Sequence, residues 1–261
     1  MPFARFVMPL LLLIFFCADK LSAQKNDIVP PSAKKLVACY PDFIAGYADN
    51  HLIFKDGSKL LWDDGISNKT YQQLLDRPDL KDMFRQAYSK NAQTQSPEKN
   101  FDPGRVRNEA FFRKIYGATK PDVEKNLVTV TWCPKTIGQQ VKVTRLNSVA
   151  QQLQKVSAEL DEHPELKKYL TGIGGTFNWR NIAGTHRLSL HSFGITVDIN
   201  TKYSDYWQWT CKCTNEDINT SYQNRIPQII IAIFEKHGFI WGGKWYHYDT
   251  MHFEYRPELL N

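Results

Sequence analysis

Two segments in the last third of the chain hold imidazole and carboxylate groups inside apolar, strand-like sequence. The first, residues 187–200, reads RLSLHSFGITVDIN and contains His191 and Asp198. The second, residues 245–255, reads WYHYDTMHFEY and contains His252. Asp198 lies between two β-branched apolar residues, where burying a carboxylate is costly unless it has a partner. The fold must therefore supply partners for these groups, and a bound metal ion is one such partner.

A catalytic zinc site uses three protein ligands from His, Asp, Glu or Cys and leaves one position for solvent. His191, Asp198 and His252 would supply such a set. His191 and Asp198 flank Gly194, and a bend at that glycine would bring the two side chains together. The alternative for each residue alone is a hydrogen-bonded structural Asp or a surface His. We predict that the three residues bind one Zn²⁺ ion.

The second segment also offers a base. Asp249 lies three residues before His252 and is the candidate to take a proton from a water activated by the metal. Glu254 is the competing base. Residues 252 and 254 of an extended strand face the same side, so Glu254 could instead bind the metal or support a ligand. His247 is interpreted as structural or exposed.

These residues resemble a known family. The first segment has the spacing S-x-H-x-x-G-x-x-x-D from Ser189 to Asp198, and the second has D-x-x-H-F-E from Asp249 to Glu254. Over about residues 171–255, the pattern resembles the zinc peptidases of the D-alanyl-D-alanine carboxypeptidase and L-alanyl-D-glutamate endopeptidase family. That family includes the peptidase domains of many phage endolysins. The two motifs appear in the family's order, with a helix and a W-G-G sequence between them.

The resemblance implies that the three residues above are zinc ligands and that Asp249 is the catalytic base. It also implies an Arg that polarises the scissile carbonyl, and Arg180 lies where that Arg is expected, with Arg187 as the alternative. The implied substrates are peptidoglycan peptides. We assign substrate contacts to Arg187, Ser189 and Trp245.

Aromatic residues near the motifs are a further substrate feature. A groove for a stem peptide or a sugar could be lined by Trp207, Trp209, Trp241 and Trp245. Core packing is the alternative for each of them. Residues 24–150 have no counterpart in the short endolysin domains, and their role is open.

The chain divides into three parts by composition. Residues 1–23 have the layout of a secretory signal peptide: an apolar run follows one Arg and precedes small residues at the predicted cleavage point. An uncleaved anchor is the alternative. Residues 24–150 form an N-terminal α/β extension, and residues 151–261 form the zinc peptidase domain. We therefore expect a periplasmic or secreted protein with no membrane span after cleavage.

The predicted fold class is α+β, with a small antiparallel sheet that carries the zinc site and is backed by helices. Asp56-Gly57 between two apolar runs predicts a hairpin. Apolar periodicity predicts helices over 71–87, 108–116, 149–160 and 226–237. Strands are predicted over 127–132 and 141–146, and residues 187–200 are predicted as strand, turn and strand.

Cleavage of the signal would leave four cysteines: Cys39, Cys133, Cys211 and Cys213. Export permits disulfides, and four cysteines allow three connectivities, among which the sequence does not choose.

The formal net charge of +6 is modest and spread along the chain. It is compatible with an acidic partner but requires none, and nucleic acid is not an expected partner. The sequence leaves the oligomeric state open. Two other functions compete with the peptidase: a non-haem iron oxygenase, which bound iron would reveal, and a zinc-containing cell-wall-binding protein without turnover.

Overall fold

The computed structural model describes Met1 and residues 28–93, 95–217 and 221–260. The signal peptide predicted for residues 1–23 lies outside the described residues, apart from Met1. Among the described helices, none is both long enough and apolar enough to cross a membrane.

The described residues form an α+β fold with small antiparallel sheets, as the sequence predicts. The strands are β1 (Ile44–Ala48), β2 (His51–Phe54), β3 (Lys59–Leu61), β4 (Leu127–Trp132), β5 (Gln139–Thr144), β6 (Thr196–Asp198), β7 (Phe239–Trp241) and β8 (His252–Tyr255). The α-helices are α1 (Pro31–Cys39), α2 (Tyr71–Asp76), α3 (Glu109–Tyr116), α4 (Lys120–Glu124), α5 (Val149–Leu160), α6 (Lys167–Leu170), α7 (Trp207–Cys211) and α8 (Gln228–Lys236). Short 3-10 helices cover Asp82–Phe84, Leu146–Ser148, Pro164–Leu166, Leu190–Phe193, Thr201–Tyr203, Gly242–Lys244 and Pro257–Leu259.

The C-terminal sheet positions the two motifs. Its strand order is β6-β8-β7, all antiparallel, so β8 is central and pairs on both edges. Asp198 of β6 is the register partner of His252 of β8. Paired residues project from the same face of a sheet, so this register places the two side chains together. On the opposite face, Phe253 stacks on Phe234 of α8 with 3.8 Å between ring centroids.

The N-terminal part contains two further sheets. β1, β2 and β3 form an antiparallel meander, with the predicted Asp56-Gly57 turn between β2 and β3. β4 and β5 form a two-stranded antiparallel ladder. The predicted hairpin, both predicted strands and the helices α3, α5 and α8 are confirmed.

The helix predicted over 71–87 is wrong in its extent. The α-helix covers only Tyr71–Asp76 and ends before Pro78, because the residue preceding a proline disfavours helical backbone. A separate 3-10 turn then follows at Asp82–Phe84. Leu74 and Leu75 are buried from the first element and Met83 from the second, whereas Leu80 is buried from the turn between them.

The interpretation of residues 187–200 as strand, turn and strand is partly wrong. Only its second half forms a strand, β6. The residues before it form a 3-10 helix, Leu190–Phe193, whose first turn is capped by the Ser189 hydroxyl accepting from the His191 backbone N–H at 3.4 Å. Gly194 ends this helix at φ +66°, and a Cβ there would lie 3.1 Å from the Thr144 backbone nitrogen.

One cluster of buried apolar side chains contains residues from both sides of position 150. Polar contacts also cross this position: Tyr40 donates to Glu258 at 2.8 Å and Tyr88 donates to Glu235 at 2.6 Å. The division at residue 150 stays a prediction. Among the cysteines, the structure pairs Cys211 with Cys213.

Candidate metal centre

The structure brings His191, Asp198 and His252 to one point. Each offers a ligand atom, and these atoms all lie within 4.8 Å of one another. Asp198 lies between the imidazoles: its Oδ2 is 3.1 Å from His191 Nε2, and its Oδ1 is 2.9 Å from His252 Nδ1. The 3-10 helix Leu190–Phe193 carries His191, and the pairing of β6 with β8 places Asp198 beside His252.

A backbone carbonyl fixes the orientation of His191. Its Nδ1 lies 2.6 Å from the Thr176 carbonyl oxygen. A carbonyl only accepts, so Nδ1 carries a hydrogen and Nε2 is the ring nitrogen that faces Asp198. This backing is the usual support of a histidine that binds a metal.

A carboxylate supports His252 in the same way. The fully buried Glu254 lies 3.1 Å from His252 Nε2, which leaves Nδ1 on the side of Asp198. Glu254 also pairs with Arg107 at 2.7 Å and with Arg256 at 3.1 Å. Burial raises the pKa of Glu254, but these arginines and His252 outweigh it and lower that pKa to about 2. Glu254 is therefore a permanently ionised support for His252, with its oxygens already engaged.

The electrostatics of the cluster favour a cation. Burial lowers the pKa of His252, but the hydrogen bonds that it donates to the Asp198 and Glu254 carboxylates outweigh this effect and raise the pKa to about 10. Burial raises the pKa of Asp198, and the two imidazoles more than reverse this, so that carboxyl stays ionised. The carboxylates that hold a proton on His252 would equally attract a divalent ion. Two nitrogens and one carboxylate oxygen are donors that suit Zn²⁺, so His191, Asp198 and His252 could hold it.

Asp249 lies in the same cavity. Its Oδ1 is buried without a hydrogen-bond partner in the described structure. Burial, followed by the nearby Asp198 carboxylate, raises the pKa of Asp249 to about 6. A carboxylate with a pKa near neutrality can both accept and return a proton. Its backbone is fixed by an N–H donated to the Gly242 carbonyl at 3.0 Å.

A cavity of about 280 Å³ opens over the cluster. Arg180, Ser189 and Trp245 line it, whereas Arg187 does not. The Trp245 ring lies 5.7 Å from the His252 ring, and its indole N–H donates to the Pro103 carbonyl at 2.6 Å. Arg180 is exposed at the rim. Three of the four residues assigned to carbonyl polarisation or substrate contact therefore lie beside the cluster.

Of the four tryptophans predicted to line a groove, two line the cavity, one lies in the core and one is exposed. Trp207 and Trp245 line the cavity. Trp241 is fully buried in the hydrophobic core, with its indole N–H donated to the Thr250 carbonyl at 2.9 Å, and Trp209 is exposed. His247 is buried rather than exposed: its Nδ1 is 2.7 Å from Asp102.

Two arginines of the N-terminal part, which the sequence did not indicate as site residues, also lie at the cluster. Arg105 and Arg107 both line the cavity over the cluster. They follow the turn Asp-Pro-Gly at Gly104, whose φ is +103° and whose Cβ, if present, would lie 2.4 Å from the Ile240 side chain. Arg105 lies in a turn, closed by its N–H donated to the Asp102 carbonyl at 2.9 Å, and no sequence pattern indicates that this turn reaches the cluster.

An α+β chain with a His-Asp-His cluster and a neighbouring buried carboxylate fits the class of metal-dependent hydrolases. Within the chain, residues 183–255 match a family model described as D-alanyl-D-alanine carboxypeptidase. The resemblance inferred from the two motifs is thereby confirmed. The matched residues include the cluster and Asp249, and Arg180 lies just before them. Neither the curated proteins nor the solved structures gave a match to the chain.

Proposed function

We propose that this protein is a zinc-dependent peptidase that hydrolyses peptide bonds in peptidoglycan stem peptides. It acts as a carboxypeptidase on a terminal D-Ala or as an endopeptidase within the peptide, in the periplasm or after secretion. The observation that carries the proposal is one cavity that combines the His191, Asp198 and His252 cluster with the buried Asp249, whose Oδ1 has no hydrogen-bond partner among the described residues. The family match over residues 183–255 supports it.

His191, Asp198 and His252 would hold the zinc ion. When bound, zinc supplies Lewis-acid chemistry that lowers the pKa of water and polarises a carbonyl. Thr176 and Glu254 keep the two imidazoles oriented, so the site loses little conformational entropy on binding the ion.

Asp249 is the proton carrier in this proposal. Its carboxylate accepts a proton from the attacking water and returns it to the amine that leaves. Because its Oδ1 has no competing hydrogen bond, that oxygen is available to a water or substrate hydrogen. In the zinc-free site the pKa of about 6 leaves this group able both to accept and to return a proton near neutral pH.

The cavity rim would position the substrate. Arg180 would donate hydrogen bonds to the scissile carbonyl oxygen and stabilise the negative charge that develops on it. Ser189 and Trp245 would contact the peptide next to the reacting bond, with the indole as an apolar wall.

The test is digestion of purified muropeptides followed by mass analysis. We expect loss of terminal D-Ala or cleavage within the stem peptide, abolished by a chelator and restored by added zinc. The products also identify which bond is cut. No cleavage by zinc-loaded protein over a range of stem-peptide chemistries would contradict the proposal and favour a wall-binding protein without turnover. Restoration by iron alone, with oxygen consumption, would contradict it in favour of an oxygenase.

A further inference from the structure

A second cavity adjoins the one over the cluster. Its volume is about 500 Å³, larger than that of its neighbour. The residues that line both cavities are Arg105, Ile182, Ala183, Tyr206, Trp207 and Gln208. This shared wall makes the two cavities parts of one groove, and a peptide bound across the cluster would extend into the larger part.

Two guanidinium groups in the larger cavity converge on one carboxylate. Arg105 Nη2 lies 2.7 Å and Arg187 Nη2 lies 3.6 Å from Oε1 of Glu216. Both arginine side chains are largely buried, at 12% and 15% exposed. Two largely buried arginines in a cavity of this size can bind a carboxylate, because the planar guanidinium matches carboxylate geometry.

The contacts of the two arginines leave capacity for a ligand. Arg105 is anchored from behind by Asp102 at 3.3 Å and by the Tyr71 hydroxyl at 2.8 Å. Among the described residues, the carboxylates near Arg187 are at long distances, 3.5 Å to the partly exposed Asp76 and 3.6 Å to Glu216, and its buried Nε donates no hydrogen bond to them. The second Glu216 oxygen, Oε2, is also buried without a hydrogen-bond partner. The fit between Glu216 and the arginine pair is therefore incomplete.

Contacts other than those of the Glu216 side chain hold the segment that carries it. The Glu216 carbonyl oxygen accepts from His247 Nε2 at 2.8 Å, and His247 is itself fixed by Asp102. The next residue, Asp217, pairs with Lys99 at 2.6 Å. The Glu216 side chain can therefore leave the arginines by rotamer changes while the segment stays in place.

We propose that Arg105 and Arg187 form a carboxylate-binding subsite of the groove, and that Glu216 occupies it until a free carboxylate of the substrate peptide displaces it. This inference rests on the proposed function and specifies its substrate: a stem peptide whose ionised D-Glu α-carboxylate lies on the side of the reacting bond that faces the larger cavity. An amidated peptide would lose the interaction with the arginines and would not displace Glu216.

The test measures binding separately from turnover. The zinc-loaded Asp249→Asn variant is titrated calorimetrically with L-Ala-γ-D-Glu-L-Lys-D-Ala-D-Ala and with the same peptide carrying a carboxamide in place of the D-Glu α-carboxylate. We expect the carboxylate form to bind about tenfold more tightly, the effect of one lost charge-assisted hydrogen bond.

Two further variants locate the effect. In the same background, Arg187→Gln should remove the preference for the carboxylate form. Glu216→Gln should tighten binding of the carboxylate form several-fold and leave the amidated form unchanged, because the internal competitor has lost its charge. Arg145→Gln, at an exposed arginine outside both cavities, is the matched control and should change neither affinity.

Equal affinity for the two peptides, no detectable binding of either, or weaker carboxylate binding in Glu216→Gln would overturn the subsite. Cleavage of muropeptides by the wild-type protein without any carboxylate preference would leave the peptidase standing and refute only the subsite. A preference for the carboxylate peptide in binding, without any cleavage by the wild-type protein, would support the subsite and refute the peptidase.

Discussion

Replacing Asp249 by Asn separates catalysis from stability. The substitution keeps the size of the side chain and removes its charge and its ability to accept a proton. A general base contributes about 10²- to 10⁴-fold to a rate. We therefore expect kcat for muropeptide hydrolysis to fall by at least about 100-fold, with zinc stoichiometry unchanged because Asp249 is not in the ligand set.

The same substitution should stabilise the zinc-free fold at high pH. The pKa of Asp249 rises from the usual 3.8 to about 6, a change of about 2 units, and each unit corresponds to about 1.4 kcal/mol. Because the folded-state pKa is above the unfolded one, the ionised form costs stability increasingly as pH rises from about 4 through 6. Above pH 7 the variant should therefore be more stable than the wild type by up to about 3 kcal/mol.

The assay is urea unfolding of both proteins with chelator at pH 5 and pH 8, together with muropeptide turnover of the zinc-loaded forms. The stability gain should be larger at pH 8 than at pH 5. A variant that retains a near-full rate would refute the assignment of Asp249 as the base. A variant less stable than the wild type at pH 8 would contradict the raised pKa of the buried Asp249 carboxyl.

The remaining predictions concern the groups behind the site. Glu254→Gln should weaken zinc binding about 10- to 100-fold, measured by competition with a chromogenic chelator, because His252 loses its charged support. It should also cost about 3 kcal/mol in urea unfolding, because the buried Arg107 loses its carboxylate partner and Arg256 keeps only Glu258; an unchanged midpoint would contradict this. For Asp102, burial raises the pKa, but Arg105 and the other partners outweigh it and lower the pKa to about 2. The stability from this group, about 2 to 3 kcal/mol, is present above about pH 4 and is lost as pH falls through 2. The stability difference between wild type and Asp102→Asn should therefore shrink below pH 4, and a difference independent of pH would exclude this origin.

The local features of the fold were predictable from the sequence. The apolar period of residues 149–160 and the Asp56-Gly57 turn correspond directly to α5 and to the β2–β3 hairpin. The helix over 71–87 failed because its apolar spacing is interrupted at Pro78, which ends the first helix and lets the remaining apolar residues pack from a separate turn.

The cluster and its surroundings differ in how much the sequence reveals. His191, Asp198 and His252 lie in two motifs whose spacing points to a common site, and their convergence was expected. Arg107 reaches Glu254 across 147 positions of the chain, and no local pattern indicates where such a loop docks. Its role as a charged support emerges only from the packed structure.

The most direct test of the central claim is a crystal structure of the zinc-loaded protein with anomalous data collected on both sides of the zinc edge. We predict one strong anomalous peak at about 2.0–2.3 Å from His191 Nε2, an Asp198 carboxylate oxygen and His252 Nδ1. A zinc peak bound elsewhere, or one that omits any of these three residues at full occupancy, would contradict it.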